Sequence, residues 1–137
     1  MDRPDWREIK WTAVFVGFAV DWTFSELVGL LVTLILLSLK GISVEADAPL
    51  PLDVGLALQS VGVLGAVVGG TVAGYIARRR GSVHGVLGSL VGLALSLCLY
   101  STALDTGDLG FIVLNLIGAG YGGRLGERWR ARRQGQG

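Results

Sequence analysis

Two carboxylates interrupt an otherwise uncharged stretch in the first third of the chain. Thr12–Leu39 contains Asp21 and Glu26 and no other Asp, Glu, Lys or Arg. A carboxylate inside the hydrocarbon of a bilayer is costly, and ionisable residues within membrane segments typically mark the route of an ion, a proton or a substrate. The chemistry that these two residues predict is therefore the binding of a proton or a cation within the membrane.

A purely structural role for the two acids is the alternative. Protonated or hydrogen-bonded carboxylates stabilise a helix bundle without any further activity. The polar residues of other uncharged stretches that can serve as partners are Gln59, Thr71, Ser96 and Asn115. A third interpretation has the first helix beginning late, which would leave Asp21 among the lipid headgroups. The sequence alone leaves all three interpretations open.

The remaining reactive side chains do not form a catalytic or metal-binding set. His84 is the single histidine and Cys98 the single cysteine. A structural metal site needs several such ligands, and a disulfide within the chain needs a second cysteine. No spacing favours a Ser-His-acid arrangement. We therefore expect no enzymatic activity, no metal and no cofactor.

Long uncharged stretches dominate the chain and must position these residues. Of the 137 residues only 17% are charged, and the mean hydropathy is +0.57, whereas an average soluble domain carries about 25% charged residues. This composition excludes a soluble domain, a disordered chain and a disulfide scaffold. A membrane span needs about 20 apolar residues. The predicted spans are residues 12–39, 54–77, 83–104 and 109–125, which makes residues 1–137 a single all-α domain, a four-transmembrane-helix bundle.

The basic residues alternate between the two sides of these spans. Of the 12 Lys and Arg residues, 3 precede the first span, 3 lie between the second and third spans, and 5 follow Gly123. Only Lys40 lies in one of the other connections. Lys and Arg are retained in cytoplasmic segments. We therefore expect a multi-pass protein of the cell membrane with short cytoplasmic tails at both termini. The basic segment Arg128–Arg133 is expected to contact lipid headgroups of the bilayer rather than nucleic acid.

Small residues recur at every fourth position of the predicted spans. Such rows let helix backbones approach closely in a membrane, where the hydrophobic effect does not drive helices together. The predicted packing positions are Gly62, Ala66, Gly70, Gly74, Gly88, Gly92, Gly118 and Gly122. In the first span Asp21 stands in such a row, between Gly17 and Ser25, and is expected to face the bundle. The rows also suggest a homo-oligomer or a larger membrane complex.

A short repeat relates the second and fourth spans. Residues 73–78 (AGYIAR) match residues 119–124 (AGYGGR) at four of six positions. The chain is therefore interpreted as two repeated helical hairpins in parallel orientation, an arrangement used by transporters.

The stretch GGTVAGYIARRRGSVHGVLGSLVG, from Gly69 to Gly92, carries a family resemblance. Its pattern is a Gly-Gly pair, an Ala-Gly-aromatic triplet, a short basic loop and Gly-x-x-His-Gly entering the next span. It resembles a group of small four-helix integral membrane proteins of prokaryotes whose function is unknown, and WTAVFVGFAVDW (Trp11–Trp22) is similar to their first helix. The resemblance implies a four-helix fold and draws attention to Asp21 and His84, without a role for either.

Two functional hypotheses follow from these features. The first is a structural or accessory membrane protein, a self-associating helix bundle of unassigned activity. The alternative is a small transporter or an ion- or proton-conducting oligomer that uses Glu26 and Asp21. The two acids discriminate between the hypotheses, because a structural bundle gains nothing obvious from two carboxylates in one span.

Overall fold

The structure, a computed structural model, describes residues 9–41, 50–100 and 106–135. In these ranges the chain is helical and contains no strand, so the predicted all-α fold with four helices is confirmed. The helices are α1 (Trp11–Lys40), α2 (Leu52–Ala77), α3 (Gly81–Tyr100) and α4 (Thr106–Gln134). Residues 101–104, the predicted end of the third span, and most of the N-terminal tail lie outside the described residues.

The helices alternate in direction along the bundle. Gly17 of α1 lies against Ala73 of α2, while Gly29 lies against Leu58, so α1 and α2 are antiparallel. Helix α2 packs against all three other helices and most extensively against α4, whereas the backbones of α1 and α4 do not come close to each other in the described part of the chain. Because α1 and α3 begin where α2 and α4 end, Lys10 and the arginines of residues 78–80 and 124–133 gather at one end, here called the basic end.

Three helices meet the requirements of a membrane span. Helix α1, helix α2 and residues Gly81–Leu99 of α3 are long and apolar enough to cross a bilayer. Helix α4 is not, because its uncharged stretch, Leu109–Gly123, has only 15 residues and is flanked by Asp108 and Arg124. Three apolar helices of this length support a membrane protein, and the crossing of α4 remains a prediction.

The bundle buries small side chains and exposes large ones. The buried apolar side chains are alanines and valines apart from Leu37, and Ala66 is completely buried. Leu27, Leu30 and Leu99 are each at least 60% exposed. A soluble protein places its large apolar residues inside. The opposite arrangement is what a bundle needs when lipid surrounds it and close helix contact holds it together.

Glycines bring α2 and α4 into backbone contact. A Cβ atom at Gly70 or Gly74 would overlap a backbone carbonyl of α4, and one at Gly122 would overlap the carbonyl oxygen of Val67. At Gly118 it would lie 3.2 Å from the Val67 side chain. The glycine rows of these two helices therefore contact each other inside one chain.

Helix α3 lies against α1 through two further small positions. A Cβ at Gly88 would lie 3.2 Å from the backbone oxygen of Val14, and one at Gly92 would lie 3.3 Å from the ring of Phe18. These separations are tight for a Cβ atom, but looser than those at Gly70, Gly74 and Gly122 between α2 and α4. The contact between α1 and α3 is therefore less close than the closest contacts between α2 and α4.

A buried histidine ties two helix starts together at the basic end. His84 is 2% exposed, and its Nε2 accepts the backbone N–H of Lys10 at 3.0 Å. Its Nδ1 lies 3.0 Å from the backbone oxygen of Arg80. A carbonyl can only accept, so Nδ1 carries the proton and the neutral tautomer is assigned by its partners. His84 therefore fixes the start of α1 against the start of α3.

Two side chains of α4 cap the turn between α2 and α3. Glu127 Oε2 accepts the backbone N–H of Gly81 at 2.9 Å, and Arg130 Nη1 donates to the backbone oxygen of Tyr75 at 2.9 Å. The first and last turns of a helix leave such groups without partners in the helix itself. The contacts therefore satisfy backbone polar groups where the chain reverses.

Candidate functional site

A cavity of about 250 Å³ lies between the four helices. Its polar lining residues are Asp21, Ser25, Glu26, Ser89, Ser96 and Asn115. The tertiary structure thus brings together Asp21, Glu26 and Asn115 of the predicted polar site, whereas Gln59 does not line this cavity. No Lys, Arg or His stands among its lining residues.

A single wide stripe of α1 forms one wall. Phe18, Asp21, Trp22, Ser25 and Glu26 all line the cavity and follow the spacing i, i+3, i+4, i+7, i+8. At 100° per residue this stripe covers about 140°, with the two acids at its opposite edges. The two carboxylates thus lie about 140° apart around the axis of α1. Both still line the same cavity, because the cavity extends across the whole stripe.

Asp21 lies at the edge that contacts α2. Its Oδ1 accepts a hydrogen bond from Ser25 Oγ at 3.3 Å. A Cβ at Gly69 would lie 2.6 Å from the Asp21 Cβ, and one at Gly65 would lie 2.7 Å from Oδ1. The missing side chains of these glycines therefore make the room that Asp21 occupies. Because α1 begins at Trp11, a late helix start is excluded and Asp21 stands well inside the helix.

Glu26 lies at the other edge of the stripe and is exposed. It lines the cavity where the backbones of α1 and α4 are far apart. Its carboxylate is therefore reachable from outside the bundle, whereas that of Asp21 is half-buried against α2. The pair offers one outer and one inner negative charge along the same cavity.

The opposite wall comes from α3 and α4. Ser89 and Ser96 of α3 are two helical turns apart on the same face. Asn115 Nδ2 donates to the backbone oxygen of Phe111 at 2.8 Å, which leaves its carbonyl oxygen available to a ligand. A Cβ at Gly62 of α2 would lie 4.0 Å from that oxygen, so the predicted packing position Gly62 borders the cavity instead of closing a tight contact.

The remaining proposed partner of the acids is used elsewhere. Thr71 Oγ1 donates to the backbone oxygen of Val67 at 2.7 Å, within its own helix. Neither Thr71 nor Gln59 lines the cavity. The partner that Asp21 does have, Ser25, stands four residues later on the same helix, where side chains of one face meet.

The cavity is closed toward the basic end. Below its innermost lining residues, Val14, Gly85 and Ala119 are buried, and a Cβ at Gly85 would overlap the backbone oxygen of Ala119. Toward the other end a Cβ at Gly55 or Gly110 would meet nothing within 4 Å, although the neighbouring Val54 is buried. The cavity is thus a pocket with a tightly packed floor.

The electrostatics of the site favour a positive ligand. Two carboxylates line the cavity, and the hydroxyl and amide groups around them supply oxygen acceptors. Within the described ranges no group of three His, Cys, Asp or Glu side chains is placed to hold a metal ion. The arrangement can bind a proton or a cation by charge and by hydrogen bonds.

Six lining residues escaped the sequence analysis: the aromatic residues Phe18 and Trp22, the polar Ser89, and the aliphatic residues Leu93, Ile112 and Leu116. The stripe spacing around Asp21 and Glu26 was the available signal for the two aromatic residues, since it places them between the acids. Their rings lie 5.7 Å apart in an edge-to-face arrangement.

Comparison with known proteins gave no match: no protein-family model, no curated protein and no solved structure matches this chain.

Proposed function

We propose that this protein binds a small cation or a proton in its central cavity and passes it through the membrane, as a small transporter or ion-conducting protein. The observation that carries the proposal is the cavity itself. It gathers Asp21 and Glu26 with polar groups from neighbouring helices and has no basic residue in its lining. Carboxylates placed this way inside a helix bundle typically serve an ion or proton pathway.

The structural or accessory hypothesis has less support. A bundle selected only for stability gains nothing obvious from two carboxylates that line one open cavity of about 250 Å³. The tight glycine contacts between α2 and α4 lie within one chain. Association with a second copy or a larger complex therefore has to use the outer faces of the bundle.

The proposal includes four spans in the cell membrane of a prokaryote, with both termini cytoplasmic. Its support is the gathering of arginines at one end of the bundle, as the positive-inside bias requires. Arg78 and Arg80 have φ angles of 71° and 53°, a region that glycine prefers and other residues occupy at a cost of about 1–2 kcal/mol. Arginine at such positions is consistent with a need for charge there. Arg124 and Arg128 can extend their side chains to the headgroups and so lengthen the short apolar part of α4.

Reporter fusions test this topology. A reporter joined after Leu39 or after Leu104 should report the outside of the cell, and one joined after Arg80 or at Gly137 should report the cytoplasm. The physical reason is the retention of basic segments on the cytoplasmic side. A cytoplasmic signal at residues 105–108 would contradict the crossing of α4.

Flux measurements with the purified protein in liposomes test the function. We expect proton or monovalent cation flux, with at least a tenfold loss of flux in Asp21→Asn and a smaller loss in Glu26→Gln, because Asp21 is half-buried against α2 whereas Glu26 is exposed. Each substitution keeps the size of the side chain and removes a negative charge from the cavity. Asp53→Asn is the matched control, because Asp53 pairs with Lys40 at 2.5 Å outside the cavity. Absence of flux at every pH, or equal flux in all three variants, contradicts the proposal.

A further inference from the structure

We propose that the ligand of this cavity is an organic monocation, an ammonium or guanidinium group that carries short apolar substituents. The inference rests on the proposed function and names its ligand class. It comes from three features of the lining that a proton or a bare metal ion would not need: two aromatic rings, a large volume and apolar side chains.

The first feature is the pair of aromatic rings between the two acids. Phe18 and Trp22 line the cavity on the stripe whose edges are Asp21 and Glu26. Their ring centroids lie 5.7 Å apart with an interplanar angle of 68°. A cation near the face of a Trp or Phe ring is attracted by the ring quadrupole, most strongly where water is excluded. An ammonium group drawn in by the carboxylates therefore meets aromatic walls.

The second feature is size. The cavity measures about 250 Å³, and an engineered cavity of about 150 Å³ in another protein is enough to hold benzene. A bare Ca²⁺ ion instead needs six to eight oxygen atoms at about 2.3–2.6 Å. Here the oxygen-bearing side chains come from three helices around an open volume, and no cluster of three potential metal ligands occurs in the described residues. The dimensions fit an organic group better than a dehydrated ion.

The third feature is the combination of apolar and polar side chains on the wall that α3 and α4 form. Leu93, Ile112 and Leu116 supply aliphatic surface on α3 and α4. Ser96 and Asn115 on the same two helices supply oxygen atoms that can accept N–H groups. A ligand with a charged nitrogen and short alkyl groups satisfies both kinds of side chain, since each alkyl group buried removes apolar surface from water.

Calorimetric titration of the full chain in phosphatidylcholine nanodiscs tests the inference. The probes are tetramethylammonium and methylguanidinium, and tert-butyl alcohol is the neutral control of similar size. We expect saturable binding of at least one of the two cations, at one site per chain, and no binding of the alcohol. Asp21→Asn should weaken cation binding at least tenfold. Phe18→Leu and Trp22→Leu should each weaken it by about twofold to thirtyfold, the range that corresponds to a cation–π contact.

Two further variants show whether the weaker cation binding of Phe18→Leu and Trp22→Leu comes from the loss of an aromatic ring in the cavity. Phe15→Leu is the matched control, because Phe15 is on the same helix, is 54% exposed and does not line the cavity. Trp22→Phe retains a ring and should bind more tightly than Trp22→Leu, which a mere loss of folding would not produce.

The outcomes separate this inference from the proposed function. Equal binding of the alcohol, equal affinity in the ring variants and Phe15→Leu, or no binding of either cation overturns the organic ligand. Proton or inorganic cation flux without such binding overturns it while the proposed function stands. Cation binding that depends on Asp21 and the rings, without any flux, supports the ligand class and contradicts transport.

Discussion

Gly74→Ala is expected to destabilise the bundle by more than about 3 kcal/mol, whereas Gly55→Ala in the same helix is expected to stabilise it by about 0.5–1 kcal/mol. A Cβ atom at Gly74 would overlap the carbonyl oxygen of Gly123, a backbone atom that cannot rotate aside. Helices α2 and α4 would have to separate, and their contact is the most extensive one in the bundle. At Gly55 a Cβ would meet nothing within 4 Å, so only the helix preference for alanine remains.

Equilibrium unfolding in mixed micelles, followed by circular dichroism, measures both variants against the unmodified chain. The two substitutions add the same methyl group to the same helix, so the variants have the same composition and differ only in what the methyl group meets. Gly70→Leu should resemble Gly74→Ala, because a Cβ at Gly70 would overlap the carbonyl oxygen of Ala119. Equal stability of the Gly55 and Gly74 variants would mean that the glycine contact between α2 and α4 does not hold the bundle together.

His84→Leu is expected to lower the free energy of unfolding by about 2–3 kcal/mol, with about half that loss in His84→Gln. Leucine fills the buried site but abandons both hydrogen bonds, to the N–H of Lys10 and to the oxygen of Arg80. Each hydrogen bond contributes about 1 kcal/mol, and a buried group left unpaired costs more. Glutamine reaches the same depth and its oxygen can still accept the N–H of Lys10.

The same unfolding measurement tests this order of stabilities. Val83→Ala is the control, because Val83 is the neighbouring residue of α3 and is 43% exposed; an exposed change of this kind usually shifts stability by less than about 0.5 kcal/mol. If the leucine and glutamine variants are equally stable, the hydrogen bonds of His84 do not fix α1 against α3 and its role is only to fill space.

The helices were largely predictable from the sequence because they depend on local composition. A run of uncharged apolar residues as long as 54–77 forms a helix wherever it lies in a membrane, and α2 covers Leu52–Ala77. Helix α4 was less predictable. Its apolar part ends near Gly123, but the helix continues to Gln134. The polar residues of this last part have good helix propensity, so hydropathy alone does not show where the helix ends.

The site was predictable only in part, and the reason is geometric. Charge and spacing identified Asp21 and Glu26, and Asn115 as a polar residue of another span. Spacing on one helix cannot say which residue of a neighbouring helix stands opposite, so Gln59 was grouped with them although it does not line the cavity. Ser25 was recognised as a small residue in the row of Asp21, but its hydrogen bond to that carboxylate depends on a side-chain orientation that α2 imposes.

By itself the sequence determined the helical class, the apolar character of three helices and the alternation of basic residues between the helix connections, because hydrophobic transfer and charge act residue by residue. Only the tertiary structure decided that the glycine rows of α2 and α4 meet each other, that Asp21 fits against Gly65 and Gly69, and that the bundle opens into a polar cavity away from its basic end. The physical reason is that close packing depends on matched shapes from different helices. The effect of a glycine on packing can be judged only when the atom of the neighbouring helix that lies where its side chain would be is known.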